Sequence, residues 1–176
     1  EIIFIISKKK QIIKKYFYND IFYKKIIKKK KDKRIISEYK KILKYKKMIK
    51  FVYQNNPRGT GDAVLKTKNL IKDNFFMMLL PDDLIIKKNC SKDMIHIHKK
   101  NKCSVMASMK VNKKNVKRWG IYSKKSNINK SNFYINDVIE KPDVKSAPSN
   151  NAVIGRYILP KKIFLKLENQ KKGKGG

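Results

Sequence analysis

Two adjacent carboxylates, Asp82 and Asp83, follow an apolar run, Phe75-Phe76-Met77-Met78-Leu79-Leu80, and a proline, Pro81. Carboxylates in the crevice beyond a strand's carboxyl end are placed where open α/β sheets bind ligands and could serve as metal ligands. A helix N-cap or a solvated turn would use the same residues. A second group is the loop Gln54-Asn55-Asn56-Pro57-Arg58-Gly59-Thr60-Gly61-Asp62. Gln54 carries a donor and an acceptor, which reading a nucleobase edge requires. Gly59 and Gly61 let backbone approach a ligand closely, and N–H groups at the start of a helix favour an anion. The alternative is a plain turn with Asp62 as N-cap. A third group joins Arg118-Trp119-Gly120-Ile121-Tyr122 to Asn136-Asp137-Val138-Ile139-Glu140-Lys141-Pro142. Here Glu140 could accept from sugar hydroxyls while Lys141 neutralises a phosphate, although an exposed Glu-Lys pair is also an ordinary surface feature. Cys90, His96, His98 and Cys103 supply zinc-ligand types. However, 91–102 reads as a helix starting at Ser91, and residues two apart on a helix point in nearly opposite directions, so the cysteines are read as free thiols.

The elements that must position these groups alternate. Ile2–Ile6 reads as a short buried strand, followed by a basic helix with Ile12, Ile13, Tyr16 and Phe17 at helical spacing. Ser37 is read as opening a second helix, Phe51–Tyr53 as a strand, Asp62–Ile71 as a helix, and Phe75–Leu80 as a strand whose unbroken apolar character suits burial on both faces. This β-α-β rhythm predicts a mainly parallel sheet. Beyond the strand Ser104–Met109, three segments, Gly120–Tyr122, Phe133–Glu140 and Val153–Leu159, read as strands without long helices between them. They predict a smaller antiparallel region, after which Pro160 is read as opening a last helix.

With 176 residues and 41% hydrophobic content, the chain suits one domain with a core. The net charge of +33 invites a nucleic-acid reading, but the cations are 42 Lys against 4 Arg, and 25 Ile and 16 Asn rise with them. Arg is the side chain that bidentate recognition of bases and phosphates favours, so a specific nucleic-acid site is not expected. The bias fits drift in an A+T-rich coding sequence. Against it, Ala147-Pro148-Ser149-Asn150 leads into Val153-Ile154-Gly155-Arg156-Tyr157, the least lysine-biased part of the chain. No uncharged run approaches the ~18 residues of a membrane span, and Ile2–Ile6 lacks the flanks of a signal peptide. A cytoplasmic protein without a membrane partner is expected.

Taken in order, these segments resemble the bacterial UTP–glucose-1-phosphate uridylyltransferases, or UDP-glucose pyrophosphorylases. The resemblance covers Gln54 with Gly59-Thr60-Gly61-Asp62-Ala63-Val64-Leu65, Leu80-Pro81-Asp82-Asp83, Gly120-Ile121, Val138-Ile139-Glu140-Lys141-Pro142 and Ala147-Pro148-Ser149-Asn150 with Val153-Ile154-Gly155-Arg156-Tyr157. It implies a Rossmann-like nucleotidyltransferase fold, with a mixed, mainly parallel central sheet and a smaller antiparallel sugar-binding region. It further implies formation of UDP-glucose and pyrophosphate from UTP and glucose 1-phosphate. By the same resemblance Gln54 and Gly59 hold the uracil, and Asp82 binds Mg2+. Gly120, Glu140 and Lys141 contact glucose 1-phosphate, with Lys141 and Asp82 as the catalytic groups. Residues 1–176 would be one incomplete domain, nucleotide-binding over 1–110 and sugar-phosphate-binding over 111–176, which self-associates when full length.

The family's opening glycine-rich loop and second metal-binding aspartate are not matched. Its glycines after the first strand are replaced by Ser7-Lys8-Lys9, and Asp62 stands where the family carries His. Opening in a strand at Glu1 and closing at Gly175-Gly176, these residues are read as an internal piece, inactive by itself. A basic nucleic-acid-binding protein and a degenerate sugar nucleotidyltransferase fragment are the competing readings.

Overall fold

The computed structural model describes residues 1–18, 21–86 and 88–169; the terminal Gly175-Gly176 lies outside the described residues. In chain order the elements are β1 (Ile2–Ile6), α1 (Gln11–Tyr18), α2 (Ile21–Lys30), α3 (Lys33–Lys46), β2 (Ile49–Tyr53), α4 (Thr60–Leu65) and β3 (Phe75–Leu79). They continue with α5 (Cys90–Asn101), β4 (Val105–Lys110), β5 (Gly120–Asn127), β6 (Phe133–Glu140), β7 (Asn151–Pro160) and α6 (Ile163–Glu168). Two compact units form, one from Glu1–Lys72 with the chain from Lys162 onward, the other from Asp73–Lys161.

In the first unit β1 and β2 pair in parallel, from Ile2 opposite Ile49 to Ile6 opposite Tyr53. Parallel neighbours need a long crossover, here supplied by α1, α2 and α3. Phe4 on β1 stacks on Phe51 of β2 with ring centroids 5.5 Å apart, and Phe17 of α1 closes on Phe4 at 5.1 Å. Of the predicted apolar stripe on α1, Ile13 and Phe17 turn inward, whereas Ile12 stays 75% exposed. The helix expected from Ser37 begins a turn earlier, at Asp32, whose carboxylate accepts from the N–H groups of Arg34 (2.7 Å) and Ile35 (3.3 Å). Aspartate is as good an N-cap as serine, and Asp32 comes first in the chain. Ile6, Ile49, Val64 and Phe164 are the buried apolar residues of this unit among those described, and the Thr67 hydroxyl donates to the Val64 carbonyl at 2.7 Å. Pro160 does not open the last helix: it ends β7, and α6 starts at Ile163.

The second unit is the antiparallel part. Its long strand β7 pairs with β3, β4 and β5, and β5 pairs with β6. β4 runs along one edge of β7, meeting it near both ends. The opposite edge is shared: β3 occupies it from Pro160 to Arg156, and β5 joins at Ala152. Between them the edge is left open only at Val153 and Ile154, because the Gly155 carbonyl accepts from the Leu80 N–H at 2.8 Å. β3 itself, expected to extend the parallel series, is antiparallel to β7. Phe75 to Met78 are half-buried on both faces, Phe75 and Met77 packing on the Met94, Ala107 and Ile158 core, and Leu79 at the strand end is 52% exposed.

The helix expected from Ser91 starts at Cys90, capped by Asn89, whose side-chain carbonyl accepts from the Lys92 N–H at 3.0 Å. His98 lies against the Phe75 ring with centroids 4.4 Å apart, and its Nδ1 is 2.7 Å from the Cys103 carbonyl.

Candidate active site

The loop from Gln54 to Asp62 belongs to the first unit. β2 ends at Tyr53, yet the ladder runs one bond further, from the Gln54 N–H to the Ile6 carbonyl at 3.0 Å. The chain then turns through Gly59, whose φ of 91° is disfavoured for any L side chain, and enters α4. Gly59 is the N-cap, so Asp62 sits in the first helical turn instead of capping it. The Asp62 carboxylate accepts from Gln54 Nε2 at 2.7 Å, and the same nitrogen reaches the Gly59 carbonyl at 3.2 Å. α4 is also shorter than expected: regular helix stops at Leu65, and turns occupy the residues to Leu70.

Asp82 and Asp83 belong to the second unit, in the turn that leaves β3 at the open stretch of the β7 edge. Their surroundings differ. Asp83 is tied down: its Oδ2 accepts from the Gly155 N–H, and its carbonyl accepts from Arg156 Nη2. Arg156 Nη1 adds bonds to the carbonyls of Leu80 (2.8 Å) and Gly155 (2.9 Å). A forked guanidinium can hold several carbonyls at once, which a lysine ammonium on a flexible stem does poorly. Asp82 is exposed, and its carboxylate has no hydrogen-bond or ion-pair partner among the described residues.

Gly155 is required by this closeness. A Cβ there would lie 2.4 Å from Leu80 Cβ and 2.6 Å from Asp83 Oδ2. Gly155→Ala is therefore expected to destabilise the fold by about 3 kcal/mol, the upper range for overpacking. The expected reading is a lower urea midpoint at unchanged slope, and an unchanged midpoint would contradict the packing.

On the other side of the open stretch, β5 and β6 pair with Gly120 opposite Glu140. A Cβ on Gly120 would come within 3.0 Å of Glu140 Oε2, so glycine here leaves the carboxylate free of a neighbouring side chain. Lys141 follows with a φ of 46°, a left-handed conformation that costs a lysine about 1–2 kcal/mol. Its N–H is held by the Trp119 carbonyl at 3.1 Å. Through this turn Glu140 and Lys141 both reach solvent, 72% and 65% exposed, with Lys141 Nζ 3.9 Å from Glu140 Oε1. Ala147-Pro148-Ser149-Asn150 braces the region from behind. The Ser149 hydroxyl donates to the Tyr122 carbonyl at 2.7 Å, and Val111 and Asn150 bond to each other.

The structure thus sets Gln54 beside Gly59 in one unit, and Gly120, Glu140 and Lys141 together in the other, where Asp82 lies along the same β7 edge. Three residues with positions to hold were not among the expected site residues: Asp62, Gly155 and Arg156. Arg156 had one sequence signal, an arginine in a chain that otherwise chooses lysine. Tyr157 shares the lysine-poor Val153–Tyr157 segment but was assigned no role; burial, then the charges of Asp83 and Glu140, push its hydroxyl above the usual tyrosine range.

One unit with a glycine-bearing loop between a parallel strand and a helix, and another, antiparallel, that exposes carboxylates and a lysine, make up the mixed α/β fold of a nucleotidyltransferase. The chain belongs to the nucleotidyl transferase family, whose model matches residues 4–175. It is 36% identical over 126 residues to a putative UTP–glucose-1-phosphate uridylyltransferase of Methanocaldococcus jannaschii, a match that covers 72% of this chain and 44% of that protein. Among solved structures, an apo UDP-glucose pyrophosphorylase superposes with a TM-score of 0.83 at 30% identity, covering 97% of this chain and 63% of the other. The UTP-bound UGPase from Acinetobacter baumannii gives 0.80 at 28%, covering 97% and 62%. The chain therefore spans less than half the length of the curated relative and under two thirds of the solved ones. The resemblance drawn from the Glu140-Lys141-Pro142 and Ala147-Pro148-Ser149-Asn150 segments is borne out by these matches.

Proposed function

We propose that this chain supplies the nucleotide-binding and sugar-phosphate-binding residues of an enzyme that makes UDP-glucose and pyrophosphate from UTP and glucose 1-phosphate. The observation that carries the proposal is the Glu140–Lys141 turn. An acceptor and a cation are held side by side by a left-handed residue, opposite a glycine that keeps the space open. Strain of this kind persists where the surroundings impose it and is found at ligand sites. Glu140 accepts from glucose hydroxyls, Lys141 neutralises the sugar phosphate, and Gly120 gives the ring room. Gln54 and Gly59 hold the uracil. On this reading the nucleotide-binding part spans 1–110 and the sugar-phosphate-binding part 111–176.

The reaction is in-line attack by the sugar-phosphate oxygen on the α-phosphorus of UTP, with pyrophosphate leaving and no covalent enzyme intermediate. What the protein contributes is alignment and neutralisation of charge on the phosphoryl oxygens. Asp82 fits a Mg2+ ion: a partnerless, exposed carboxylate in a fixed turn is the oxygen donor this cation takes. No group of three or more His, Cys, Asp or Glu that could hold a metal occurs among the described residues, so substrate phosphates and water would complete its shell. When bound, the ion would offset charge on the triphosphate.

The test is pyrophosphate release by the protein carrying this chain. Release that requires UTP and glucose 1-phosphate together is expected. Release from UTP alone, or equal rates with any sugar 1-phosphate, would contradict the proposal.

A further inference from the structure

Gln54 is held at two points. Its backbone N–H bonds to the Ile6 carbonyl at 3.0 Å, and its side-chain nitrogen donates to Asp62 Oδ2 at 2.7 Å and to the Gly59 carbonyl at 3.2 Å. Both side-chain partners, a carboxylate and a backbone carbonyl, accept. The amide therefore cannot turn over, because a flip would set its oxygen against two other oxygens. What remains of Gln54 for a ligand is Oε1, which has no partner among the described residues.

We propose that Asp62 is a specificity-determining positioning residue: by holding Gln54 Nε2, it makes the loop present an acceptor to the nucleobase. Such a loop suits a pyrimidine whose N3 bears a hydrogen, as in uracil. It rejects cytosine, whose N3 is itself an acceptor, because two acceptors would face each other unsatisfied. The inference rests on the reading of Gln54 as the base-holding residue. Without Asp62 the amide rotates freely and can offer either its oxygen or its nitrogen. Selectivity then falls even if the loop keeps its shape.

The experiment measures binding and kcat/KM for UTP and CTP on the protein carrying this chain and on Asp62→Ala, Asp62→Asn and Gln54→Ala. Wild type is expected to prefer UTP. In Asp62→Ala the UTP/CTP ratio should fall about tenfold or more, through weaker UTP with CTP unchanged or tighter. A loop that had merely loosened would weaken both nucleotides by one factor. Asp62→Asn, whose amide can accept from Nε2 or donate to Oε1, should fall between. An unchanged ratio in Asp62→Ala, together with a ratio abolished in Gln54→Ala, would overturn the role of Asp62 and leave the base-holding reading intact. UTP binding indifferent to Gln54→Ala, or a wild type that does not prefer UTP, would overturn both.

Discussion

Lys141→Asn is expected to lower kcat/KM for uridylyl transfer by about 10²–10³-fold, the loss typical of removing one preorganised donor to a developing phosphoryl charge. Asparagine separates function from fold at this position. Lys141 has a φ of 46°, a region in which Asn is enriched and Lys is not. The substitution thus removes the ammonium while easing the backbone. Its ion pair with Glu140, 3.9 Å long between two well-exposed side chains, contributes little to stability. The variant should therefore unfold at the same denaturant concentration as the parent, or slightly higher. Activity that survives Lys141→Asn would leave the sugar phosphate without its assigned counter-charge. A fold that collapses would mean the turn relies on the lysine side chain in a way its exposure does not suggest.

The second large effect contrasts the neighbours Asp82 and Asp83. Asp82→Asn keeps the shape of an exposed side chain with no partner among the described residues, so stability should not move. Transfer should fall by about 10²-fold or more, because an amide oxygen is a far weaker ligand for a hard cation than a carboxylate. Higher Mg2+ should recover part of the loss. Asp83→Ala should do the reverse in kind. It leaves the buried Gly155 N–H without its acceptor and should cost about 1–3 kcal/mol of stability. Any loss of activity would follow from the loosened turn. Equal stability losses for the two variants, with equal activity losses, would remove the distinction between a ligand and its support.

Much of this was legible in the residues because it is local. The antiparallel region from Gly120 onward follows from strand-like segments without long helices between them, although β5 runs on to Asn127 and its register, Gly120 opposite Glu140, was not read. The strand-end carboxylates follow from an apolar run stopped by a proline. What could not be read depends on distant partners. Nothing in Phe75–Leu79 announces that it pairs antiparallel with residues 156–160, so it looked like one more parallel strand. The Gly155 and Arg156 contacts with Asp83 span more than seventy positions and appear only once that pairing is known. The Gln54–Asp62 bond crosses eight residues, but Asp62 looked like an ordinary helix cap until Gly59 was seen to occupy the cap position. Helix starts at Asp32 and Asn89 were displaced from Ser37 and Ser91 because several good capping residues stood close together.

The most direct measurement is a crystal structure of the protein carrying this chain with UDP-glucose bound. The account predicts the uracil edge on Gln54 Oε1, glucose hydroxyls on the Glu140 carboxylate, and the sugar-linked phosphate on Lys141 Nζ, with the Asp62–Gln54 bond unbroken. UDP-glucose ordered elsewhere, or bound with Glu140 and Lys141 both left in solvent, would contradict it.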